Sequence, residues 1–230
     1  MSGLPFHTVI VHSMPRTSSN TIRNFVDGIL VEMGVRVFHL HYGTRPRNLD
    51  WRGLSSAVPQ DDIGTGIISC CREPIAQNLS YYWKFIAPRK PEWQSHTDAF
   101  YAMESHWDQA RWWEVELQDW WHIDPFSAGP FTPPFSIVHN KLLLLRTENI
   151  EALPEAVGAW LGLDLAGRPV PHANHDGHAP PDRPAIPITA SYLNAMYFPN
   201  QPFRFPSFFY SDEELLRLQY RWLHVTEQAA

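Results

Sequence analysis

A short apolar strand that runs into a polar loop and then an amphipathic helix is the feature that most constrains the fold of this chain. The strand is predicted at Thr8–Val11, and a polar segment, Ser13–Thr21, follows it directly. Apolar residues then recur at helical spacing up to Gly34, which is expected to end the helix. They are Ile22, Phe25, Val26, Ile29, Leu30 and Met33.

Later segments repeat this alternation of strand and helix. Further strands are predicted at Val35–Tyr42, Gly66–Cys71 and Lys141–Thr147. Helices are predicted from Pro74 toward Phe85 and over Pro154–Leu161, with Gly162 directly after the second of them. Strands that alternate with helices predict an α/β fold, with a mainly parallel sheet covered by helices on both faces. We expect residues 1–230 to form one domain.

Between the last two predicted strands lies a tryptophan-rich insertion, residues 88–135, for which the spacing of apolar residues predicts a helix. Most of its aromatic side chains are interpreted as packing residues, although some could line a pocket. The periodic positions are Phe100, Met103, Trp107, Ala110, Trp113, Leu117 and Trp120 or Trp121. Residues 166–187 are proline-rich and predicted to be irregular. Ser211 and Glu214 have the spacing of a capping box and predict a C-terminal helix.

Composition excludes some classes of function. A formal net charge of -6 and a pI near 6.0 argue against a general nucleic-acid binder, so any anionic ligand needs a local site. The chain shows no signal peptide and no apolar run long enough to span a bilayer, from which a cytoplasmic location is expected. Adjacent Cys70 and Cys71 are interpreted as buried, structural thiols.

The loop Pro15–Thr21 is predicted to be an anion site. Backbone N–H groups and the positive end of the helix dipole meet there, and the guanidinium of Arg16 could add a forked contact to a phosphate or sulfate. Additional donors are Thr17, Ser18, Ser19, Asn20 and Thr21. The Gly-Lys-Ser/Thr ending of nucleoside triphosphatase loops is absent, which disfavours that class. The alternative is a polar loop that only caps the helix.

A second element is Arg72-Glu73-Pro74, with Ser80 eight residues after the arginine. Arg72 ends a predicted strand, at the edge where open α/β sheets bind ligands, and Ser80 lies two turns into the next helix. The alternative is a structural arginine held by a salt bridge.

Together these two elements resemble those of the sulfotransferases that use 3'-phosphoadenosine-5'-phosphosulfate (PAPS). The family's 5'-phosphosulfate loop is similar to Pro15–Thr21, with Arg16 at the family's lysine position and Ser18 at its glycine or alanine position. The family's 3'-phosphate element is similar to Arg72-Glu73-Pro74 with Ser80. The finer likeness is to bacterial carbohydrate and capsular-polysaccharide sulfotransferase-like proteins. The resemblance implies a P-loop-like three-layer fold.

The resemblance also implies the reaction, transfer of a sulfuryl group from PAPS to a hydroxyl of a carbohydrate or small molecule without a metal. Arg16 would stabilise charge on the transferring group, and a base would take the acceptor's proton. His41 is the first choice, because it lies near the carboxyl end of the second predicted strand. Glu104 is the main alternative, and His12, His39 and His106 are further ones.

Other interpretations are kept open. His172, His175 and His178, with Asp176, could bind zinc, but a solvated segment is favoured. The chain could also be a small-molecule kinase, or a binding or scaffold protein that keeps the fold without catalysis. No nucleic-acid partner and no stable membrane insertion are expected, and the oligomeric state is left open.

Overall fold

The computed structural model describes residues 4–14, 16–41, 64–107, 112–113, 118, 121–171, 183–198 and 204–227. Five strands form one sheet in the order β2-β1-β3-β5-β4. The strands are β1 Thr8–Ser13, β2 Arg36–His41, β3 Thr65–Cys71, β4 Phe135–Val138 and β5 Leu142–Arg146. Neighbouring strands are parallel except β4, which pairs antiparallel with β5. The predicted α/β class is confirmed.

Seven α-helices lie in the described ranges. They are α1 Ser19–Leu30, α2 Pro74–Tyr81, α3 His96–Tyr101, α4 Leu153–Leu161, α5 Ala190–Tyr197, α6 Phe205–Phe209 and α7 Asp212–Glu227. A π-helix, Tyr82–Ile86, continues α2. Within these ranges, every helix is too short or too polar to cross a lipid bilayer.

Helices cover both faces of the sheet. Successive residues of a strand point to opposite faces, so Ile67 packs with the core that includes α2 and α5–α7, while Ile68 packs with the core of α1 and α4. All residues of β1 and β3 are buried, as expected of strands in the middle of a covered parallel sheet. The carboxyl ends of these strands are therefore held on a rigid base.

Sequence analysis missed strand β4. It forms a hairpin with β5 through His139 and Asn140, which both have positive φ, at 50° and 55°. The loop has three residues, 139–141, because Val138 pairs with Leu142, and positive φ angles in a short hairpin loop match the twist of its strands. Glycine usually occupies such a turn, and because no glycine occurs here, the sequence does not indicate a hairpin.

Several local predictions are confirmed. The predicted apolar positions of α1 are buried, except Met33, which is 47% exposed beyond the end of the helix. Gly162 caps α4 with φ 70°. Ser211 and Glu214 form the capping box, because each backbone N–H bonds the other's side chain at 2.9 and 3.2 Å. Cys70 and Cys71 are buried and unbridged.

The continuous tryptophan-rich helix is not found over its described part. Helix α3 ends at Tyr101, and a separate 3-10 helix, Glu104–Trp107, follows. Trp112 and Trp113 lie in a further helical segment, and both are fully buried. These two indoles pack in the core, consistent with the packing interpretation and unavailable to an acceptor. The histidine cluster at residues 172–178 lies outside the described residues.

Candidate functional site

The carboxyl ends of β1 and β3 define a crevice in the sheet. From β1 the chain crosses to β2 on one side, whereas β3 is bordered on its other side by β5. Open α/β sheets bind ligands at such a switch in strand order. The pairing between β1 and β3 ends at Val11 and Ile68, and side chains bridge the strands beyond it. The Ser69 hydroxyl donates to the His12 carbonyl at 2.6 Å, and the Cys70 N–H donates to the Ser13 hydroxyl at 3.0 Å.

The loop after β1 has an unusual backbone. Arg16 and Ser18 have positive φ angles of 71° and 60°, a region that L-residues other than glycine seldom adopt. Thr17, between them, is fully buried and donates its hydroxyl to the Met14 carbonyl at 2.5 Å. Strained residues of this kind concentrate at functional sites. Pro15 lies outside the described residues.

Helix α1 begins at Ser19 and directs its first N–H groups toward this loop. The first N–H groups of a helix have no partner within it, and no side chain of Ser18 caps them. Ser19 and Thr21 are buried, whereas Asn20 is exposed. The backbone N–H groups, more than the predicted hydroxyls, are thus the donors that this helix can offer to an anion.

We expect Ser18→Gly to stabilise the protein by about 0.5 kcal/mol. Glycine removes a strain of about 1 kcal/mol at positive φ, partly offset by the greater entropy of its unfolded chain. The described contacts of the Ser18 side chain include no hydrogen bond that would be lost. Urea denaturation measures the change. Ser191→Gly, within α5, is the control and should be destabilising. A destabilising Ser18→Gly would contradict the strain argument.

The two predicted motifs meet in space. Arg16 Nε donates to the Ser80 hydroxyl at 2.8 Å, across 64 positions of sequence. Arg72 Nη1 donates to the Arg16 carbonyl at 3.3 Å. Arg72 thereby holds the loop by its backbone, while Ser80 holds the side chain of Arg16.

Glu73 has a structural role. Its carboxylate caps α2 by accepting the N–H groups of Ile75 and Ala76, at 2.8 and 2.7 Å, and the Tyr197 hydroxyl donates to it at 2.5 Å. Burial raises the pKa of Glu73, and these hydrogen bonds oppose that rise. With Pro74 in the first turn of α2, the cap determines where Arg72 and Ser80 stand relative to each other.

A cavity of about 470 Å³ opens beside this junction. Arg72 and Ser80 line it, together with Thr147 and Glu148, which follow β5. Its remaining wall includes Trp83, Arg183, Arg221 and Trp222. Three guanidinium groups therefore line one cavity in a chain whose net charge is -6. Two carboxylates, those of Glu73 and Glu148, line it as well, so the arginines outnumber the acidic groups by one.

Hydrogen bonding makes His12 and His106 poor bases. Trp121 Nε1 donates to His12 Nδ1 at 2.9 Å, so a neutral His12 ring carries its proton on Nε2 and has no lone pair left. His106 Nε2 bonds the Phe100 carbonyl at 2.9 Å, and its Nδ1 bonds the Tyr192 hydroxyl at 2.7 Å. Burial lowers the pKa of His106, so the ring is a neutral structural group.

The other predicted bases have different settings. Glu104 is exposed at the start of its 3-10 helix, and no described contact joins it to Arg16, Arg72 or Ser80. His39 is half-buried and pairs in register with Val11. His41 ends β2 opposite Ser13, at the edge of the sheet where the loop begins, and only its backbone is described.

Sequence analysis missed the far wall of the cavity. Arg221 and Trp222 lie on α7, and their spacing shows only an arginine next to the apolar face of a helix. Nothing local in the sequence indicates that they approach Arg72. Within the described ranges, no three histidine, cysteine or acidic side chains are grouped as metal ligands.

Comparison of the chain with family models, with curated proteins and with solved structures gives no match. The resemblance to sulfotransferases therefore stays a prediction from the sequence.

Proposed function

We propose that this protein is a sulfotransferase that moves a sulfuryl group from PAPS to a hydroxyl of a carbohydrate or small molecule, on a P-loop-like three-layer fold. One observation carries the proposal: Arg16 and Ser80, taken from the two separate motifs, are in contact at the border of a cationic cavity. A loop that served only to cap α1 would require neither this contact nor the cavity.

The donor's two anionic groups match the two parts of the site. We assign the 5'-phosphosulfate to Arg16 and the first N–H groups of α1, and the 3'-phosphate to Arg72 and Ser80. The cavity of about 470 Å³ is within the usual size of nucleotide and cofactor sites.

The acceptor oxygen attacks sulfur, while the bond from sulfur to the bridging phosphate oxygen breaks and the electron pair leaves with 3'-phosphoadenosine-5'-phosphate (PAP). By analogy with phosphoryl transfer, positioning and charge stabilisation supply most of the rate. Arg16 neutralises the charge that grows on the transferring group and on the leaving oxygen. The acceptor's proton passes to a base.

We propose His41 as this base, because its strand ends beside the loop and the hydrogen bonding of His12 and His106 disfavours them. His41→Ala should lower kcat by about 100-fold or more, with the Kd for PAP unchanged. Glu104→Gln is the comparison variant. An undiminished kcat in His41→Ala would exclude His41 as the base. A lower kcat in Glu104→Gln would instead assign the base to Glu104.

The proposal is tested by calorimetry with PAP and with adenosine 5'-phosphate, which lacks the 3'-phosphate. We expect PAP to bind more tightly, and Arg72→Ala to lower the affinity for PAP by a factor of about 10 to 100. The affinity for adenosine 5'-phosphate should fall less, through the hydrogen bond that Arg72 donates to the loop. Arg168→Ala removes the same charge from an exposed turn and serves as the control.

Failure of PAP to bind at high concentration would overturn the proposal. Binding of PAP without transfer to any hydroxyl would favour a scaffold protein, and binding of ATP without PAP would favour a kinase.

A further inference from the structure

The wall that α7 adds to the cavity has no role in holding the loop. Leu218, Arg221 and Trp222 occur at helical spacing of three and four residues, so one stripe of α7 faces the cavity. Arg217, one turn before Arg221, and Tyr220 are exposed and do not line the cavity. Helix α7 therefore contributes one guanidinium, of Arg221, and one indole, of Trp222, to the lining of the cavity.

Two indoles border this space, each with a guanidinium beside it. Arg183 lies over the ring of Trp83, with 5.6 Å between Cζ and the ring centroid, and Arg221 lies over Trp222 at 5.9 Å. Indole rings and guanidinium planes both stack on planar rings. Both indoles also pack against the core, and the parts of them that border the cavity add an apolar surface that a phosphate alone would not need.

The wall is fixed in place by contacts at both ends of the stripe. Glu214 anchors the first turn of α7 to Arg146 at 2.9 Å, and Gln219 donates to Asn194 of α5 at 2.7 Å. Trp222 lies beside Tyr197, whose hydroxyl bonds the Glu73 cap. The indole is thus connected to the same cap that positions Arg72.

The acidic groups near the cavity are already occupied by donors. Glu148 accepts the Glu73 N–H at 2.8 Å and the Tyr210 hydroxyl at 3.3 Å, while Glu73 caps α2. Protein donors therefore partly offset these carboxylates, and the arginines keep the cavity suitable for an anion.

We propose that Arg221 and Trp222 make this cavity selective for phosphate esters that carry a planar aromatic ring, with Arg72 and Ser80 holding the phosphate and the indoles holding the ring. This inference deepens the proposed function, since the adenosine 3'-phosphate part of PAPS is one such ester. An aryl phosphate with no nucleoside is another, and the experiment separates the two.

The test is calorimetry with adenosine 3'-phosphate, 4-nitrophenyl phosphate and glycerol 3-phosphate, which has no ring. Adenosine 3'-phosphate should bind about tenfold or more tightly than glycerol 3-phosphate, and Trp222→Leu should remove most of that difference. Arg221→Ala should likewise lower the affinity for adenosine 3'-phosphate by about tenfold. Matched controls are Arg217→Ala, on an exposed face of α7, and Trp93→Leu, whose ring is 85% exposed.

Arg221 is exposed, so its variant keeps the fold even if Trp222→Leu does not. If PAP binds and neither variant differs from its control, the inference is wrong and the proposed function stands. If PAP does not bind but 4-nitrophenyl phosphate does, with the same dependence on Arg221 and Trp222, the inference stands and the proposed function is wrong. Equal affinity for glycerol 3-phosphate and the aromatic esters also overturns the inference.

Discussion

Arg16→Ala is expected to lower kcat for sulfuryl transfer by about 100- to 1,000-fold, the usual effect of removing one group that stabilises charge in a transition state. The affinity for PAP should fall much less, because Arg72 and Ser80 still hold the 3'-phosphate. The measurement is PAP formation from PAPS with an acceptor found by screening hydroxylated compounds.

The variant Arg16→Lys separates the contribution of the positive charge to kcat from that of the guanidinium geometry. Arg16 donates Nε to Ser80, and the two terminal nitrogens of a guanidinium extend beyond that contact. A lysine has a single nitrogen, which cannot hold Ser80 and reach the sulfate in the same way. We therefore expect activity between those of the native protein and Arg16→Ala. Arg23→Ala, an exposed position on α1, is the control. An unchanged kcat in Arg16→Ala would show that Arg16 has no role in the reaction.

Arg146→Met is expected to destabilise the protein by about 2 kcal/mol, because it removes the buried donor of a hydrogen-bond network and leaves the Phe209 carbonyl without that donor. Arg146 is 6% exposed and bonds Asn149, the Phe209 carbonyl and Glu214, at 2.8, 3.1 and 2.9 Å. Its guanidinium also lies 5.4 and 5.0 Å from the ring centroids of Phe131 and Tyr210. These contacts connect β5 to α6 and α7.

Urea denaturation measures this loss. Arg23→Met breaks an exposed pair of similar length, 3.1 Å from Asp27, and should cost less than about 1 kcal/mol. Glu214→Gln combined with Arg146→Met completes a double-mutant cycle, in which the second change should cost less than it does alone. Equal stabilities of Arg146→Met and Arg23→Met would show that the buried network contributes little.

Arg72 and Arg146 illustrate a limit of the sequence. Each follows or ends a buried, parallel strand. The Glu73-Pro74 pair after Arg72 indicates a ligand site only through its resemblance to a known motif, and nothing local indicates that Arg146 is enclosed. In the structure Arg72 lines the cavity and contacts the loop, whereas Arg146 is enclosed by Phe131, Tyr210 and α7. The difference depends on residues distant in sequence, such as Arg16, 56 positions from Arg72, and Glu214, 68 positions from Arg146, whose approach is determined by packing.

The sequence by itself determined the features that arise within about four residues: the strand-loop-helix unit, the Gly162 and Ser211 caps, and the buried positions of α1. Helical period and capping are local, so the pattern predicts them directly. The contact between Arg16 and Ser80, and the wall that Arg221 and Trp222 add to the cavity, depend on the tertiary structure alone. Strand order and helix packing bring these distant residues together, and only the folded chain specifies that arrangement.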